Sequence, residues 1–229
     1  MNYITRIIKH IQYLNSYLFG TKLSSYQSNY NGILELWLID GKKILNSANA
    51  NLSYDSLHKV FQQIFRKINL QNKPPAQVLL LELGGGSVPC ILLEELQFNC
   101  KITAIEHDPM MIELAIKEFN INRFKTLEII ESDAYLYVTH CSKKFDLIVV
   151  DLFLDDQVPV LFCEEEFNTA LLKLLNPGFI LFNFINKNLA QANQFEKLQL
   201  LYKLQRNLLV SNYHLEGNND MLVAEKVRH

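Results

Sequence analysis

From residue 77 onward the chain alternates short, uniformly apolar runs with segments of helical periodicity. The runs are Val78–Leu83, Ile102–Glu106, Leu127–Ile130, Phe145–Asp151 and Phe179–Phe184. A strand apolar on both sides must be covered on both faces, and strands alternating with helices build a parallel sheet with right-handed crossovers. The spacing predicts a doubly wound α/β fold. Helices are expected after Ser87, with Pro89 in the first turn, and after Asp108-Pro109, an N-cap followed by proline at the first helical position. Another is expected from about Glu164 to Leu175, stopping before Asn176-Pro177-Gly178, and a long one near 190–207. Leu209–Leu215 and Met221–Glu225, joined by Gly217-Asn218-Asn219, read as two final strands, the last antiparallel. That makes seven strands.

The first fifty residues follow another pattern. Ile4, Ile7, Ile8, Ile11, Leu14 and Leu18 have helical spacing, interrupted by Arg6, Lys9 and His10. They predict an amphipathic helix packed on the body or on a partner, in preference to a membrane surface or a secretory leader. Ile33–Ile39, Asp40-Gly41 and Lys43–Leu45 read as a β-hairpin, and residues 53–68 as a helix with Ser53 as N-cap. The expected division is therefore 1–50, a helix and hairpin extension, and 51–229, the α/β domain.

Net charge is −2, so no attraction to nucleic acid or to an anionic membrane is expected. Cys90, Cys100, Cys141 and Cys163 form no CxxC pair, which favours free thiols and a cytoplasmic location. His58, His107 and His140 lack metal-ligand spacing, so no metal is expected.

In an open parallel sheet a ligand sits beyond the carboxyl ends of the strands. Gly84, Gly85 and Gly86 follow the first strand, where glycines let a ligand lie against the backbone. Glu106 ends the next strand, twenty residues after Gly86, the spacing of a carboxylate that accepts ribose hydroxyls. A dinucleotide also needs free N–H groups for its pyrophosphate, and Pro89 has none. S-adenosylmethionine and its relatives carry ribose and adenine without phosphate. Asp133, before Ala134, is placed to accept from an adenine amino group or to cap the following helix, and the two roles are compatible. Asp151 closes a strand that is otherwise apolar and faces the cleft or solvent. Asp155 and Asp156 read first as a solvated turn before Pro159; as part of a carboxylate ring they would favour a cationic sulfonium.

Four segments together, Val78–Gly86, Ile105-Glu106-His107-Asp108-Pro109, Ser132-Asp133-Ala134 and Phe145–Asp151, resemble spermidine synthases and their relatives. Leu36–Leu45 and Ser53-Tyr54 are similar to the β-rich front piece and Ser-Tyr segment of that family. The resemblance implies the Rossmann-like class I methyltransferase fold and a transferase that uses S-adenosylmethionine or its decarboxylated form. It implies cofactor contacts from Gly84, Gly85, Gly86, Glu106, Asp133 and Ala134, with Asp151 at the reacting centre. Tyr54 and Asp155 are the implied substrate contacts, the acceptor is a small molecule, and a homodimer is left open. Ser87-Val88-Pro89 replaces the family's acidic and glycine-rich continuation, and Leu154 stands where a second aspartate is expected. These departures leave methyl transfer, aminopropyl transfer and a catalytically silent nucleoside-binding protein as alternatives.

Overall fold

A computed structural model describes residues 3–47, 56–154, 157–185 and 188–227. The chain runs α1 (Tyr3–Asn15), β1 (Thr21–Ser28), β2 (Gly32–Ile39), β3 (Lys42–Asn46), α2 (Ser56–Lys67), β4 (Gln77–Leu81) and α3 (Ser87–Cys90), which continues as a π turn over Ile91–Glu95. Then follow β5 (Lys101–Glu106), α4 (Pro109–Phe119), β6 (Leu127–Glu131), α5 (Ala134–His140) and β7 (Phe145–Val150). The chain ends with α6 (Glu165–Leu174), β8 (Leu175–Ile185), α7 (Leu189–Lys203), β9 (Leu208–His214) and β10 (Asn219–Lys226).

Seven strands form one sheet in the order β6-β5-β4-β7-β8-β10-β9. The first five are parallel, and β10 runs antiparallel to both β8 and β9. Both faces are covered, as the apolar runs require. Val60, Phe61 and Ile64 of α2, Val88 and Ile91 of α3 and its π turn, and Ala115 of α4 pack on Val78, Leu80, Ala104, Val149 and Leu181. On the opposite face Val138 of α5, Phe167 and Leu171 of α6, and Leu198 and Tyr202 of α7 pack on Leu79, Ile105, Ile148 and Phe182. Each such large apolar side chain contributes about 1.5–3 kcal/mol on burial.

The front piece has one strand more than the predicted hairpin. β2 and β3 pair across Asp40-Gly41 as expected, and β1 pairs antiparallel with the other edge of β2. β1, Thr-Lys-Leu-Ser-Ser-Tyr-Gln-Ser, is polar and half-exposed, so it carries no period-2 hydrophobic signal. This small sheet packs through Leu34, Leu36 and Leu45 onto Met111 and Leu114 of α4. The end of α1 is tied to the β2–β3 turn, because Ser16 accepts from the Asp40 and Gly41 amides. Ile8, Ile11 and Leu14 of α1, and Leu18 and Phe19 after it, are exposed, so these residues do not pack on the body, the first of the two placements that the periodicity allows.

Asn176-Pro177-Gly178 also departs from the expected loop. α6 ends at Leu174 and β8 begins at Leu175, so the three residues form a bulge within β8. Proline is tolerated there because a bulge needs no ladder N–H.

Among the described residues no helix is long and apolar enough to cross a membrane.

Candidate functional site

Strand order reverses between β4 and β7, since β4 leads through α3 to β5 on one side while β7 lies on the other. The register there is exact to the residue: Leu81 pairs with Ile105 and with Val150, and Val150 pairs with Phe182. The next residues are Glu106, Glu82, Asp151 and Asn183, which form a row across four adjacent strands. The ladder runs into it, with Glu82 donating its amide to Ile105 at 3.0 Å and Asp151 to Leu81 at 3.2 Å. Side chains alternate along a strand, so the residues two earlier give the face. Ala104, Leu80, Val149 and Leu181 all belong to the core beneath α2, α3 and α4. Glu106, Asp151 and Asn183 therefore share that face at the carboxyl end of the sheet, and Glu82, which leaves the extended conformation at φ 79°, is placed beside them by its charge interactions with Glu106 and Asp151.

This row is highly charged for its burial. Desolvation, with Glu106, Asp151 and Asp108 nearby, raises the Glu82 carboxyl well above the usual carboxylate range. Desolvation also raises Glu106, against amide hydrogen bonds and His107. It raises Asp151 from 3.8 to about 7, with Asn183 acting in the lowering direction. Among the described residues no Lys or Arg pairs with any of the three; His107 Nδ1 lies 3.6 Å from Glu106.

The glycine turn adjoins this row. Glu82, although not glycine, sits at φ 79°, a left-handed conformation costing on the order of 1–2 kcal/mol. Gly86 is at φ 83°, a conformation that strains any side chain, and a Cβ there would lie 2.2 Å from Ile121 Cδ1. The Glu106 carboxylate, 1% exposed, reaches back over the turn. It accepts from the amides of Leu83 at 3.3 Å, Gly84 at 3.4 Å and Asp108 at 3.0 Å. The sequence predicts this acid as a free ribose acceptor; here its oxygens hold backbone amides, two of them at long distance. Glu82, Glu106 and His107 bring ligand atoms within 4.8 Å of one another.

Asp133 caps α5, accepting from the Leu136 amide at 2.9 Å, so the capping role expected of it is met. It is exposed, with Ala134 buried behind it. Tyr54 and Asp155, and with them Ser53 and Asp156, lie outside the described residues.

Three features escaped the sequence. Asn183 is fully buried and donates to Asp151 Oδ1 at 2.8 Å; a single polar residue in the run Phe179–Ile185 was its only signal. Glu82 joins the carboxylate row through strand register. Asp108, legible as the N-cap of α4 through Met110, also accepts with Oδ2 from Ser28 at 2.5 Å and Asn31 at 2.7 Å. Tyr30 adds an edge-to-face contact with His107 at 4.7 Å. The β1–β2 turn is thereby knitted to the segment after Glu106. Asp108→Ala is expected to cost about 2–3 kcal/mol, from the lost cap and from one buried and one half-buried donor left unpaired. Thermal denaturation checks this, and an unchanged Tm removes the clasp from the stability of the fold.

A family model of the spermine/spermidine synthase domain matches residues 59–208. The polyamine aminopropyltransferase of Vibrio vulnificus (strain CMCP6) is 29% identical over 115 residues, 49% of this chain and 38% of that protein. The eEF1A lysine and N-terminal methyltransferase of Homo sapiens is 25% identical over 139 residues, 55% of this chain and 20% of that protein. The matches thus span less than half the length of these relatives. Among solved structures, spermidine synthase in complex with the transition state analogue AdoDATO superposes with a TM-score of 0.70 at 17% identity, over 90% of this chain and 74% of that one. Human methyltransferase-like protein 13 in complex with SAH superposes with a TM-score of 0.60 at 20% identity, over 76% of this chain and 83% of that one. These likenesses establish a shared fold, the class I methyltransferase fold expected from the sequence. With the family model covering most of its length, the chain belongs to the spermine/spermidine synthase domain family.

Proposed function

We propose that the chain is a transferase that binds S-adenosylmethionine or its decarboxylated form and passes a methyl or aminopropyl group to a small nucleophile, with Asp151 at the reacting centre. The observation that carries this is the row Glu106, Glu82 and Asp151 at the topological switch point, two of them buried and Glu82 half-buried beside a glycine turn, with no Lys or Arg partner among the described residues. Desolvated carboxylates without a counter-ion favour a cationic ligand. The donor set fits a sulfonium nucleoside, and Pro89, which has no N–H, fits one without phosphate. The relatives' names, one an aminopropyltransferase and one a lysine and N-terminal methyltransferase, support the same class of chemistry.

The bound sulfonium supplies a carbon activated towards displacement. Gly84 and Gly85 lie against the nucleoside, and Gly86 lets the turn close onto Ile121. Glu106 exchanges its long bonds to Leu83 and Gly84 for the sugar hydroxyls, and Asp133 and Ala134 flank the adenine. Asp151 holds the nucleophile in line and takes its proton, a role suited to a carboxyl titrating at about 7.

Calorimetry with S-adenosylmethionine, its decarboxylated form and methylthioadenosine, followed by incubation with putrescine, tests this reading. Preference for the decarboxylated form with aminopropyl product assigns aminopropyl transfer; preference for S-adenosylmethionine assigns methyl transfer. No binding of any nucleoside at millimolar concentration ends the proposal. Glu106→Ala is expected to weaken nucleoside binding by about 1.5–3 kcal/mol, roughly 10- to 150-fold. Equal affinity in the variant removes Glu106 from the ribose site.

A further inference from the structure

A cleft of about 310 Å³ opens between α2 and the π turn that continues α3. α2 leads through the turn Leu70–Asn72 into the start of β4, and the π turn leads into the start of β5. The cleft therefore lies at the amino ends of these strands, away from the glycine turn. Its volume falls within the range of small-molecule sites, about 300–1,000 Å³. Phe65 and Ile91, both buried, and the half-buried Leu96 give it an apolar floor. Arg66 of α2 and Glu95 of the π turn are exposed members of its rim. The π turn itself closes with the Leu96 amide donating to the Ile91 carbonyl at 2.8 Å. Such turns are rare and recur at functional sites, and this one carries three of the lining residues, Ile91, Glu95 and Leu96.

The two rim charges do not pair with each other. Arg66 Nε donates to the Gln62 carbonyl at 3.2 Å, and its terminal nitrogens have no hydrogen-bond or ion-pair partner among the described residues. Glu95 is held in place from one side, with His58 Nε2 2.6 Å from Oε1 and Gln62 Nε2 donating to Oε2 at 2.7 Å. Burial pushes its carboxyl up, but the bonds from Gln62 and His58 and the charge of Arg66 outweigh this and hold it below the usual range. Glu95 is thus ionised, and each of its oxygens keeps a second lone-pair direction. A simple anion in the cleft would be repelled by Glu95 and a simple cation by Arg66, whereas a ligand carrying both charges satisfies both. We infer that this cleft binds the zwitterion of a free α-amino acid with an apolar side chain: its carboxylate on the Arg66 guanidinium, its ammonium on Glu95 and its side chain on Phe65, Ile91 and Leu96. The guanidinium suits a carboxylate because it offers two parallel N–H groups. The site is separate from the nucleoside crevice and does not depend on the transferase reading.

The test titrates free leucine onto the full chain, followed by calorimetry and by the NMR methyl resonances of Ile91 and Leu96. Leucinamide, N-acetylleucine and glycine are the comparison probes, each lacking one contact: the carboxylate, the ammonium and the side chain. Leucine at millimolar concentration is expected to shift both methyls, and each comparison probe to bind about tenfold more weakly or worse. Arg66→Gln, at an exposed position, should weaken leucine about tenfold and leave leucinamide unchanged. Glu95→Gln should weaken leucine and leave N-acetylleucine unchanged; if losing the His58 contact lowers its Tm, Arg66→Gln carries the test alone. Methyls that do not move, equal affinity for leucine and leucinamide, or an Arg66→Gln variant that binds leucine like the wild type overturns the inference. Shifts confined to the glycine turn would place leucine in the other crevice and overturn it equally.

Discussion

Asp151→Asn is expected to abolish turnover while leaving methylthioadenosine affinity within about tenfold, ~1.4 kcal/mol. Asparagine keeps the size of the side chain and can still accept from Asn183, so the crevice keeps its shape; only the proton acceptor is lost. The same substitution carries a signature in stability that needs no substrate. Burial raises the Asp151 carboxyl from 3.8 to about 7. Below pH 3.8 the folded and unfolded chains both hold the proton, and the buried neutral acid costs nothing further. Between 3.8 and 7 the unfolded chain releases it first, so stability falls as pH rises, and above 7 the loss is complete. The span of about three pH units corresponds to something on the order of 4 kcal/mol. Asparagine has no proton to lose. The Tm of the variant should therefore match that of the wild type near pH 4 and exceed it by roughly 10 °C at pH 8. Parallel Tm curves across that range would show that Asp151 is not buried in its neutral form. Retained turnover would remove it from the reaction.

How much of this was readable in the sequence depended on whether a signal was local. Four of the five parallel strands announced themselves as runs apolar on both faces and β6 by Leu127, Ile129 and Ile130 alone, while Asp108-Pro109 marked the start of α4 from two adjacent residues. Asp40-Gly41 likewise fixed the β2–β3 hairpin. β1 was not readable, since its two apolar side chains, Leu23 and Tyr26, are three apart across a register shift and give no period of two, and the strand is defined by its pairing with β2. The site divided in the same way. Gly84, Gly85, Gly86, Glu106 and Asp151 stand at strand ends that the apolar runs locate. That Glu82 and Asn183 stand in line with them follows from inter-strand register, which a single sequence does not carry. Glu106 shows a further limit: its position at the strand end was legible, but its turn inward onto the Leu83 and Gly84 amides depends on how the glycine loop folds over it.

Gly178→Ala should be among the most damaging single-methyl changes in the chain, although it lies at the far end of the sheet from the site. Between the pairs Phe145–Leu175 and Leu147–Phe179, β7 contributes Asp146 alone while β8 contributes Asn176, Pro177 and Gly178. The extra residues bulge, and the backbone of Gly178 is pressed against that of Asp146. A Cβ on Gly178 would lie 1.9 Å from the Asp146 carbonyl oxygen and 2.8 Å from its carbonyl carbon. Those are backbone atoms, so no rotamer change relieves the clash. Asp146 has no freedom to retreat, because its carboxylate accepts from the Ala76 and Gln77 amides at 2.9 Å and from Asn176 Nδ2 at 3.1 Å, joining the starts of β4, β7 and β8. Relief requires β8 to separate from β7 at its amino end. That would loosen Phe179 and Leu181 in one core and Leu175 in the other. A cost of about 4 kcal/mol is expected, at the upper end for point substitutions, with a fall in Tm of roughly 10 °C. Asn176→Ala, which removes one of the three Asp146 bonds and adds no clash, should cost about 1 kcal/mol. Equal stability of Gly178→Ala and wild type would mean that β7 and β8 are not bulged against each other here, and the register that brings Asp151 beside Asn183 would then lose its anchor.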